Sequence, residues 1–175
     1  GFSIQESCSN DTTFFVSSDS VQMGAIESWA WDFGDNTTST LADPMHIYTN
    51  AGVYTVMLTV TDTSGCSSTR IKPVTVWPGP VADFAVSGAG CAGAEVTFND
   101  MSQANGGNII LWEWDFGDPP SGTSNNSTLQ NPTHIYNNAG SYIVSLIAYI
   151  AEGCSDTAQM SVTVHAPPAV GFSIQ

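Results

Sequence analysis

The chain has 175 residues and a formal net charge of −14, because it carries 16 acidic side chains and only two basic ones. A surface this anionic repels DNA, RNA and acidic membranes, which excludes nucleic acid as a partner. The hydrophobic content of 42% indicates a folded chain rather than an acidic disordered tail. No apolar segment is long enough to cross a bilayer, so no direct membrane insertion is expected.

Alternation of apolar and polar residues predicts β-strands along the first half of the chain, and no stretch has helical periodicity. The predicted strands are residues 1–5, 12–17, 29–33, 46–48, 54–61 and 69–76. The clearest is 54–61, where four apolar side chains alternate with Thr and Met, as in a half-buried antiparallel strand. A Pro-Gly-Pro linker at 78–80 follows, which predicts a first domain over 1–77.

The second half of the chain repeats the first. Its predicted strands are residues 81–87, 95–99, 109–116, 133–136, 141–148 and 158–164. Matching tryptophans lie 83 residues apart (112 − 29) and matching histidines 88 apart (134 − 46), so five extra residues fall in the loop after Asp118. We expect a second domain over 81–166, then a linker and the start of a next repeat over 167–175. Short strands with turn residues between them predict an all-β fold, with one sandwich per domain.

Each half contains a seven-residue stretch rich in aromatic residues: Trp-Ala-Trp-Asp-Phe-Gly-Asp at 29–35 and Trp-Glu-Trp-Asp-Phe-Gly-Asp at 112–118. Alternate side chains of a strand point to opposite faces, so the three aromatics of each copy are expected on one face. Three buried rings can nucleate the core of a small sandwich. The Gly-Asp pair then predicts a tight turn, in which Gly tolerates a positive φ and Asp bonds its own backbone.

A longer repeat is also present. The pentapeptide Gly-Phe-Ser-Ile-Gln occurs at 1–5 and again at 171–175. It predicts a parent protein that repeats a two-domain cassette of 170 residues (171 − 1), from which this chain is a fragment.

Four cysteines, Cys8, Cys66, Cys91 and Cys154, allow three disulfide connectivities. The duplication favours Cys8–Cys66 and Cys91–Cys154, and four buried free thiols are the alternative. Paired cysteines indicate an oxidising, extracellular setting, either secreted or on the cell surface. Lys–Asn isopeptide bonds cannot staple both halves, because Lys72 is the only lysine.

Several motifs that recur in order resemble those of the PKD (polycystic kidney disease) domain family. In the first half they are Trp-Asp-Phe-Gly-Asp at 31–35, Pro-Met-His-Ile-Tyr at 44–48, Gly-Val-Tyr-Thr-Val at 52–56 and Leu-Thr-Val-Thr-Asp at 58–62. In the second half they are Trp-Asp-Phe-Gly-Asp at 114–118, Pro-Thr-His-Ile-Tyr at 132–136 and Gly-Ser-Tyr-Ile-Val at 140–144. The resemblance covers nearly all of both halves and implies two tandem immunoglobulin-like β-sandwiches.

The resemblance also implies structural roles for the family-motif residues. These are Trp31, Asp32, Phe33, Gly34, Asp35, His46 and Tyr48, and Trp114, Asp115, Phe116, Gly117, Asp118, His134 and Tyr136. The second half departs from the pattern, because Ile-Ala-Tyr-Ile at 147–150 replaces the Thr-Val-Thr-Asp segment. Both halves lack the family's Asp-Pro-Asp-Gly loop before the tryptophan strand.

Calcium is the candidate cofactor, although none is required for the predicted role. Some PKD domains bind calcium near an N-terminal linker through carboxylate and backbone oxygens. The candidate ligands here are Asp19, Asp62 and Asp100, because carboxylates are the hard oxygen donors that calcium prefers.

Enzyme interpretations find little support in the sequence. Paired carboxylates such as Asp32 with Asp35 are more typical of turn chemistry, because no second set of acids converges on them. The Asp-Phe-Gly match to kinases lacks the accompanying kinase motifs, and there is no metalloprotease, serine-hydrolase or Cys-x-x-Cys spacing. His46 and His134 lie within the family motif and are expected to be structural.

The sequence therefore predicts a non-catalytic repeat module of a large bacterial adhesin, similar to those of gliding motility. Its role would be an extended stalk, or a surface for weak cell adhesion. The expected partners are neighbouring repeats of the same chain and a surface polysaccharide or protein, and a monomer is expected. The alternative is a polysaccharide- or protein-binding accessory module of a secreted hydrolase, with a residue such as Trp77 touching substrate.

Overall fold

The computed structural model describes residues 1–4, 7–19, 25–88 and 90–171. The chain divides into two compact units, Gly1–Gly79 and Pro80–Gln175, and this division falls within the predicted linker at 78–80. Both units are built almost entirely of β-strands, so the all-β prediction is confirmed. Residue 5 of the predicted first strand and residues 172–175 of the predicted next repeat lie outside the described residues.

The first unit contains two sheets. Its strands are β1 (Phe2–Ile4), β2 (Ser7–Cys8), β3 (Thr12–Ser17), β4 (Ile26–Asp32), β5 (Thr38–Ser39), β6 (Met45–Ile47), β7 (Gly52–Asp62) and β8 (Ser67–Trp77). One sheet has the order β1-β3-β6, and the other has the order β2-β8-β7-β4-β5. The sequence did not indicate β2 and β5, which have two residues each and too few positions to show alternation.

The second unit repeats this plan. Its strands are β9 (Phe84–Ser87), β10 (Glu95–Asp100), β11 (Ile109–Asp115), β12 (Asn126–Ser127), β13 (Thr133–Ile135), β14 (Gly140–Ile150) and β15 (Ser155–Val164). The sheets have the orders β13-β10-β9 and β12-β11-β14-β15. The predicted insertion after Asp118 forms a 3₁₀ helix, Pro119–Asn125.

Each unit has its own hydrophobic core. In the first unit the core residues are Phe2, Phe15, Trp31, Phe33, Tyr48, Val56, Leu58, Val74 and Val76. In the second they are Phe84, Val96, Phe98, Trp114, Phe116, Tyr136, Val144, Leu146, Val162 and Val164. Burying one such side chain contributes roughly 1.5–3 kcal/mol, so the central aromatics stabilise each unit strongly. Trp29 and Trp112 are half-buried and pack against the same cores, which confirms the predicted aromatic face.

The predicted disulfides Cys8–Cys66 and Cys91–Cys154 are wrong. Cys66 and Cys91 are free and exposed, whereas Cys8 and Cys154 are disulfide-bonded, so the alternative of four free thiols is also wrong. Within each unit the two cysteines lie at opposite ends of the last strand. Cys8 pairs with Trp77 at the end of β8 and Cys66 precedes its first residue. A strand of this length separates its ends by about 30 Å, whereas a disulfide requires Cα atoms roughly 4.4–6.8 Å apart.

The described part of the chain contains no helix that is long and apolar enough to cross a bilayer.

Candidate functional site

The Trp-Asp-Phe-Gly-Asp motif places its aromatic residues in the core of each unit. Trp31, at 2% exposure, donates from Nε1 to the Leu41 carbonyl at 2.9 Å. Trp114 is buried to the same extent and donates to the Leu129 carbonyl at 2.9 Å. A buried indole needs such a partner, and in both units the loop after the motif supplies it.

The turn that follows each motif strand forms as predicted. The Asp32 Oδ1 atom accepts a hydrogen bond from the Gly34 N–H at 2.9 Å, and Asp115 accepts from Gly117 at 2.8 Å. Both glycines adopt a positive φ, 80° and 68°. The first aspartate of each motif is therefore engaged by its own turn, as turn chemistry requires.

The second aspartate of the motif pairs with the motif histidine. In the first unit, His46 Nε2 lies 2.7 Å from Asp35 Oδ2, and the imidazole stacks on Phe33 with ring centroids 4.3 Å apart. Thr37 donates to Asp35 from both its N–H and its hydroxyl. Burial alone would raise the pKa of Asp35, but the hydrogen bonds from Thr37 and His46 outweigh it and lower that pKa.

The equivalent pair in the second unit is more deeply buried. His134 Nε2 lies 3.1 Å from Asp118 Oδ2, and the Asp118 side chain is 7% exposed, against 21% for Asp35. The 3₁₀ helix provides the difference, because Asn125 at its end accepts from the Asp118 N–H at 2.6 Å and donates to Asp115 at 2.9 Å. The extra loop length indicated an insertion, but no feature of the sequence indicated that Asn125 would join the two aspartates.

A buried tyrosine forms a hydrogen bond with the backbone of each motif. The Tyr48 hydroxyl donates to the Phe33 carbonyl at 3.0 Å, and the Tyr136 hydroxyl donates to the Phe116 carbonyl at 2.9 Å. Burial raises the pKa of both tyrosines well above the ordinary value, so both hydroxyls stay protonated donors. In each unit the motif aspartates, histidine and tyrosine therefore form hydrogen bonds with other atoms of the same unit. These bonds favour a structural role over acid–base chemistry.

The Asp35–His46 pair predicts how acid acts on the first unit. The pKa of Asp35 is lower in the folded chain than in the unfolded chain, so ionised Asp35 stabilises the fold. This stabilisation is fully present above the pKa that Asp35 has in the unfolded chain, and it is lost as the pH falls through the pKa that Asp35 has in the folded chain. We expect stability to fall below about pH 4 and Asp35→Asn to weaken that dependence, at a cost of about 1 kcal/mol at neutral pH. Urea unfolding at pH 7 and pH 3 measures both effects.

Asp11→Asn, at an exposed loop position, is the matched control, because it removes one carboxylate without touching the pair. If the Asp35→Asn chain loses as much stability in acid as the parent, the pair does not act in this way.

The three calcium candidates are divided between the two units. Asp19 and Asp62 line a recess of about 280 Å³ in the first unit, and Asp100 belongs to the second. Asp19 Oδ1 accepts from the amino group of Gly1 at 2.7 Å. Asp62 Oδ1 accepts from the N–H groups of Ser64 and Cys66. Among the described residues no group of three or more His, Cys, Asp or Glu side chains could hold a metal ion, and calcium binding stays a prediction.

Asp100 instead supports the half-buried tryptophan of its unit. It accepts from Trp112 Nε1 at 2.8 Å and from Gln130 Nε2 at 3.0 Å. Burial would raise the pKa of Asp100, but hydrogen bonds from Ser102, Gln130 and Trp112 lower it. The equivalent Trp29 Nε1 is buried and has no hydrogen-bond partner among the described residues, so the two units differ at this point.

The first unit carries an exposed apolar surface, which we call the module-1 face. It consists of Phe14, Val16, Met45 and Ile47, which are 47%, 51%, 66% and 50% exposed. Phe14 and Val16 alternate along β3 with buried residues, and Phe14 lies opposite Met45 of β6. A recess of about 450 Å³ beside them is lined by Ser3, Ile4, Phe14 and Val16. Phe14 is the most exposed of the Phe, Trp and Tyr side chains in the described part of the chain.

The second unit places polar residues at the matching positions. The strand registers align Phe14, Val16 and Met45 with Thr97, Asn99 and Thr133, and only Ile47 keeps an apolar counterpart, Ile135. The fold therefore does not require the apolar side chains of the module-1 face. The sequence pattern does not indicate this face, because a strand with apolar residues on both sides does not show which side is exposed.

The comparisons with known proteins agree with this geometry. A family model described as "PKD domain" matches residues 3–76 and 77–164. The chain belongs to the PKD domain family. The predicted resemblance and the two tandem immunoglobulin-like sandwiches are thereby confirmed, and a PKD domain is a non-catalytic module.

Two curated relatives are proteases. Collagenase ColA of Bacillus cereus is 49% identical over 57 residues, which cover 33% of this chain and 6% of the collagenase. Pre-pro-metalloprotease PrtV of Vibrio cholerae is 40% identical over 91 residues, which cover 52% of this chain and 10% of that protein. The crystal structure of the PKD1 domain of PrtV is 36% identical, covering 49% of this chain and 96% of that domain with a TM-score of 0.43. This chain thus spans about a tenth or less of the curated relatives it matches.

Proposed function

We propose that the chain is a non-catalytic accessory module of a secreted hydrolase that acts on fibrous extracellular protein, with collagen as the model substrate. The observation that carries this proposal is the set of curated relatives, in which matching PKD stretches belong to proteins named collagenase and metalloprotease. Because PKD domains are non-catalytic, the module would serve the hydrolase by contacting or spacing the substrate.

An extracellular location is part of the proposal. Collagen lies outside cells, so a module that binds collagen must also be extracellular. The disulfide-bonded state of Cys8 and Cys154 supports an oxidising compartment, because cytosolic thiols are kept reduced.

The module-1 face is the proposed contact surface. Contiguous exposed apolar side chains often mark interaction sites, and here the same fold in the second unit does without them. An apolar contact also suits a chain with a net charge of −14, because an electrostatic contact would require a basic partner. Polysaccharide is the less favoured ligand, because sugar binding uses exposed aromatic rings, and every described Phe, Trp and Tyr other than Phe14 is buried or half-buried.

The test is co-sedimentation of the chain with insoluble collagen fibres. The variant Phe14→Thr/Val16→Asn/Met45→Thr gives the module-1 face the residues that the second unit carries at the same positions. We expect Kd to rise about tenfold or more, which corresponds to about 1.4 kcal/mol lost from a few central apolar contacts. Circular dichroism should show an unchanged fold.

Ile135→Thr, which changes the second unit alone, is the matched control and should bind as the parent chain does. Failure of the parent chain to sediment with collagen would contradict the proposal, as would equal binding by the triple variant.

The second candidate function is a spacer within a large, repetitive bacterial surface adhesin, as in gliding motility. The observation that favours it is the recurrence at 171–175 of the pentapeptide from 1–5, on top of the duplicated domain. The parent sequence distinguishes the two candidates, since many cassettes without a catalytic domain would favour the spacer. Calcium binding and a monomeric state are further predictions under either function.

A further inference from the structure

Strand β15 lies at the edge of its sheet. The order of that sheet is β12-β11-β14-β15, so β15 pairs with β14 on one side. The other side finds backbone partners only beyond the strand, where the His165 N–H donates to the Gly90 carbonyl and the His165 carbonyl accepts from the Ala92 N–H, both at 2.8 Å. Within the described part of the second unit no strand pairs with this side of β15, which we call the β15 edge.

Every second residue of the strand directs its backbone groups toward the β15 edge. His165 uses its N–H and its carbonyl on this side, and the backbone groups of successive strand residues point alternately to one side and the other. The residues whose N–H and carbonyl groups face the edge are Thr157, Gln159, Ser161 and Thr163, and their side chains are exposed. Such a regular row of backbone donors and acceptors is a template for a further strand.

The first unit has the equivalent edge, but a proline blocks it. Strand β8 corresponds to β15, and the pairing registers relate the two strands by 88 residues, as in Lys72 and Met160 (160 − 72). Pro73 of β8 therefore stands where β15 has Ser161 (161 − 73). Proline has no N–H to donate at the edge, and its presence there is a known means of preventing a further strand from pairing.

The two edges also differ in charge. Arg70 and Lys72, the only basic residues of the chain, both lie on β8, whereas β15 has Ala158 and Met160 at the matching positions. The second unit contains no lysine or arginine, so all of its formal charge is acidic. Basic side chains at a sheet edge repel a basic strand, whereas the acidic second unit attracts one.

We propose that the β15 edge binds an extended, basic peptide segment of another protein, which adds to the sheet as one further strand. The backbone groups of residues 157–163 provide the hydrogen bonds, and the acidic second unit selects a basic partner. A collagen chain does not fit this site, because its polyproline II conformation and its prolines prevent strand pairing. The β15 edge therefore goes beyond the proposed function, which rests on the module-1 face.

The probe is a short, fluorescently labelled peptide in which Val and Lys alternate, titrated with the full chain and followed by fluorescence anisotropy. We expect saturable binding to the parent chain. The variant Ser161→Pro gives β15 the proline that β8 carries at the equivalent position, and it should raise Kd about tenfold or more, because it removes a donor from the middle of the edge. Ser161→Ala is the matched control and should bind as the parent does, since it keeps the N–H.

A second variant tests the charge of the edge without proline. Ala158→Arg/Met160→Lys gives β15 the two basic residues of β8, and it should also weaken binding of the basic peptide. A second peptide, in which proline replaces every Val, keeps the Lys residues but cannot pair as a strand. It should bind the parent chain at least about tenfold more weakly than the first peptide.

Three results would overturn the proposal. The first is that the parent chain does not bind the Val-Lys peptide. The second is that Ser161→Pro binds it as tightly as Ser161→Ala, or that the proline peptide binds as tightly as the Val-Lys peptide, since attraction between charges would then explain the binding. The third is that sedimentation shows a dimer of the parent chain that Ser161→Pro dissociates, because a second copy would then occupy the edge. Circular dichroism checks that each variant is folded.

Discussion

Gly34→Ala is expected to destabilise the first unit by about 3 kcal/mol or more. Gly34 has a φ of 80°, and a Cβ atom added there would lie 2.7 Å from the Thr55 carbonyl oxygen and 3.0 Å from the Thr55 nitrogen. Thr55 belongs to β7, the strand that pairs with both β4 and β8, so its backbone cannot move without disturbing the sheet. Chemical denaturation followed by circular dichroism measures the loss.

Gly65→Ala is the matched control in the same unit. Gly65 also has a φ of 80°, but a Cβ atom there meets nothing within 4 Å. Its cost should be only that of a left-handed alanine, about 1 kcal/mol. The difference between the two substitutions isolates the close approach of the motif turn to β7. Equal costs would mean that this approach contributes nothing.

Trp31→Ala is expected to cost about 3–5 kcal/mol, because it removes the largest side chain of the first core. The indole lies edge-on to Phe2 with ring centroids 5.1 Å apart, and 5.5 Å from the ring of Phe15. These three rings join the two sheets, so a cavity here separates them. The unfolding free energy again provides the measurement, with circular dichroism as the probe.

Trp29→Ala serves as the comparison, two residues earlier on the same strand. Trp29 is only half-buried, and within the described part of the chain its Nε1 atom has no hydrogen-bond partner, so its loss should cost clearly less than the loss of Trp31. If the two substitutions cost the same, the motif's second tryptophan is not the centre of the core.

Period-two alternation was sufficient to predict the aromatic strands. Trp31 and Phe33 lie two residues apart on one face, and this local spacing survives in the fold because strand geometry imposes it. The contact between Asp35 and His46 is not local in this sense. His46 lies on a strand of the other sheet. The alternation of residues along one strand does not indicate which residues of two different sheets are in contact.

The disulfide prediction failed for a different reason. A duplication shows which cysteines occupy equivalent positions, but it does not show which cysteines are close enough to bond. The choice depends on where Cys8 lies relative to Cys66, and this follows from the parallel pairing of β2 with the end of β8. A strand of two residues, β2, determines that position, and it left no pattern in the sequence.

The module-1 face is the central functional claim, and exchange of this face between the units tests it most directly. The triple variant Phe14→Thr/Val16→Asn/Met45→Thr removes the face from the first unit. The exchanged chain carries these three changes together with the reverse changes in the second unit, Thr97→Phe, Asn99→Val and Thr133→Met, so that the face lies on the second unit instead. Co-sedimentation with collagen fibres should fall in the triple variant and recover in the exchanged chain. Binding that ignores both changes, or that fails to recover although the exchanged chain folds, would contradict the account.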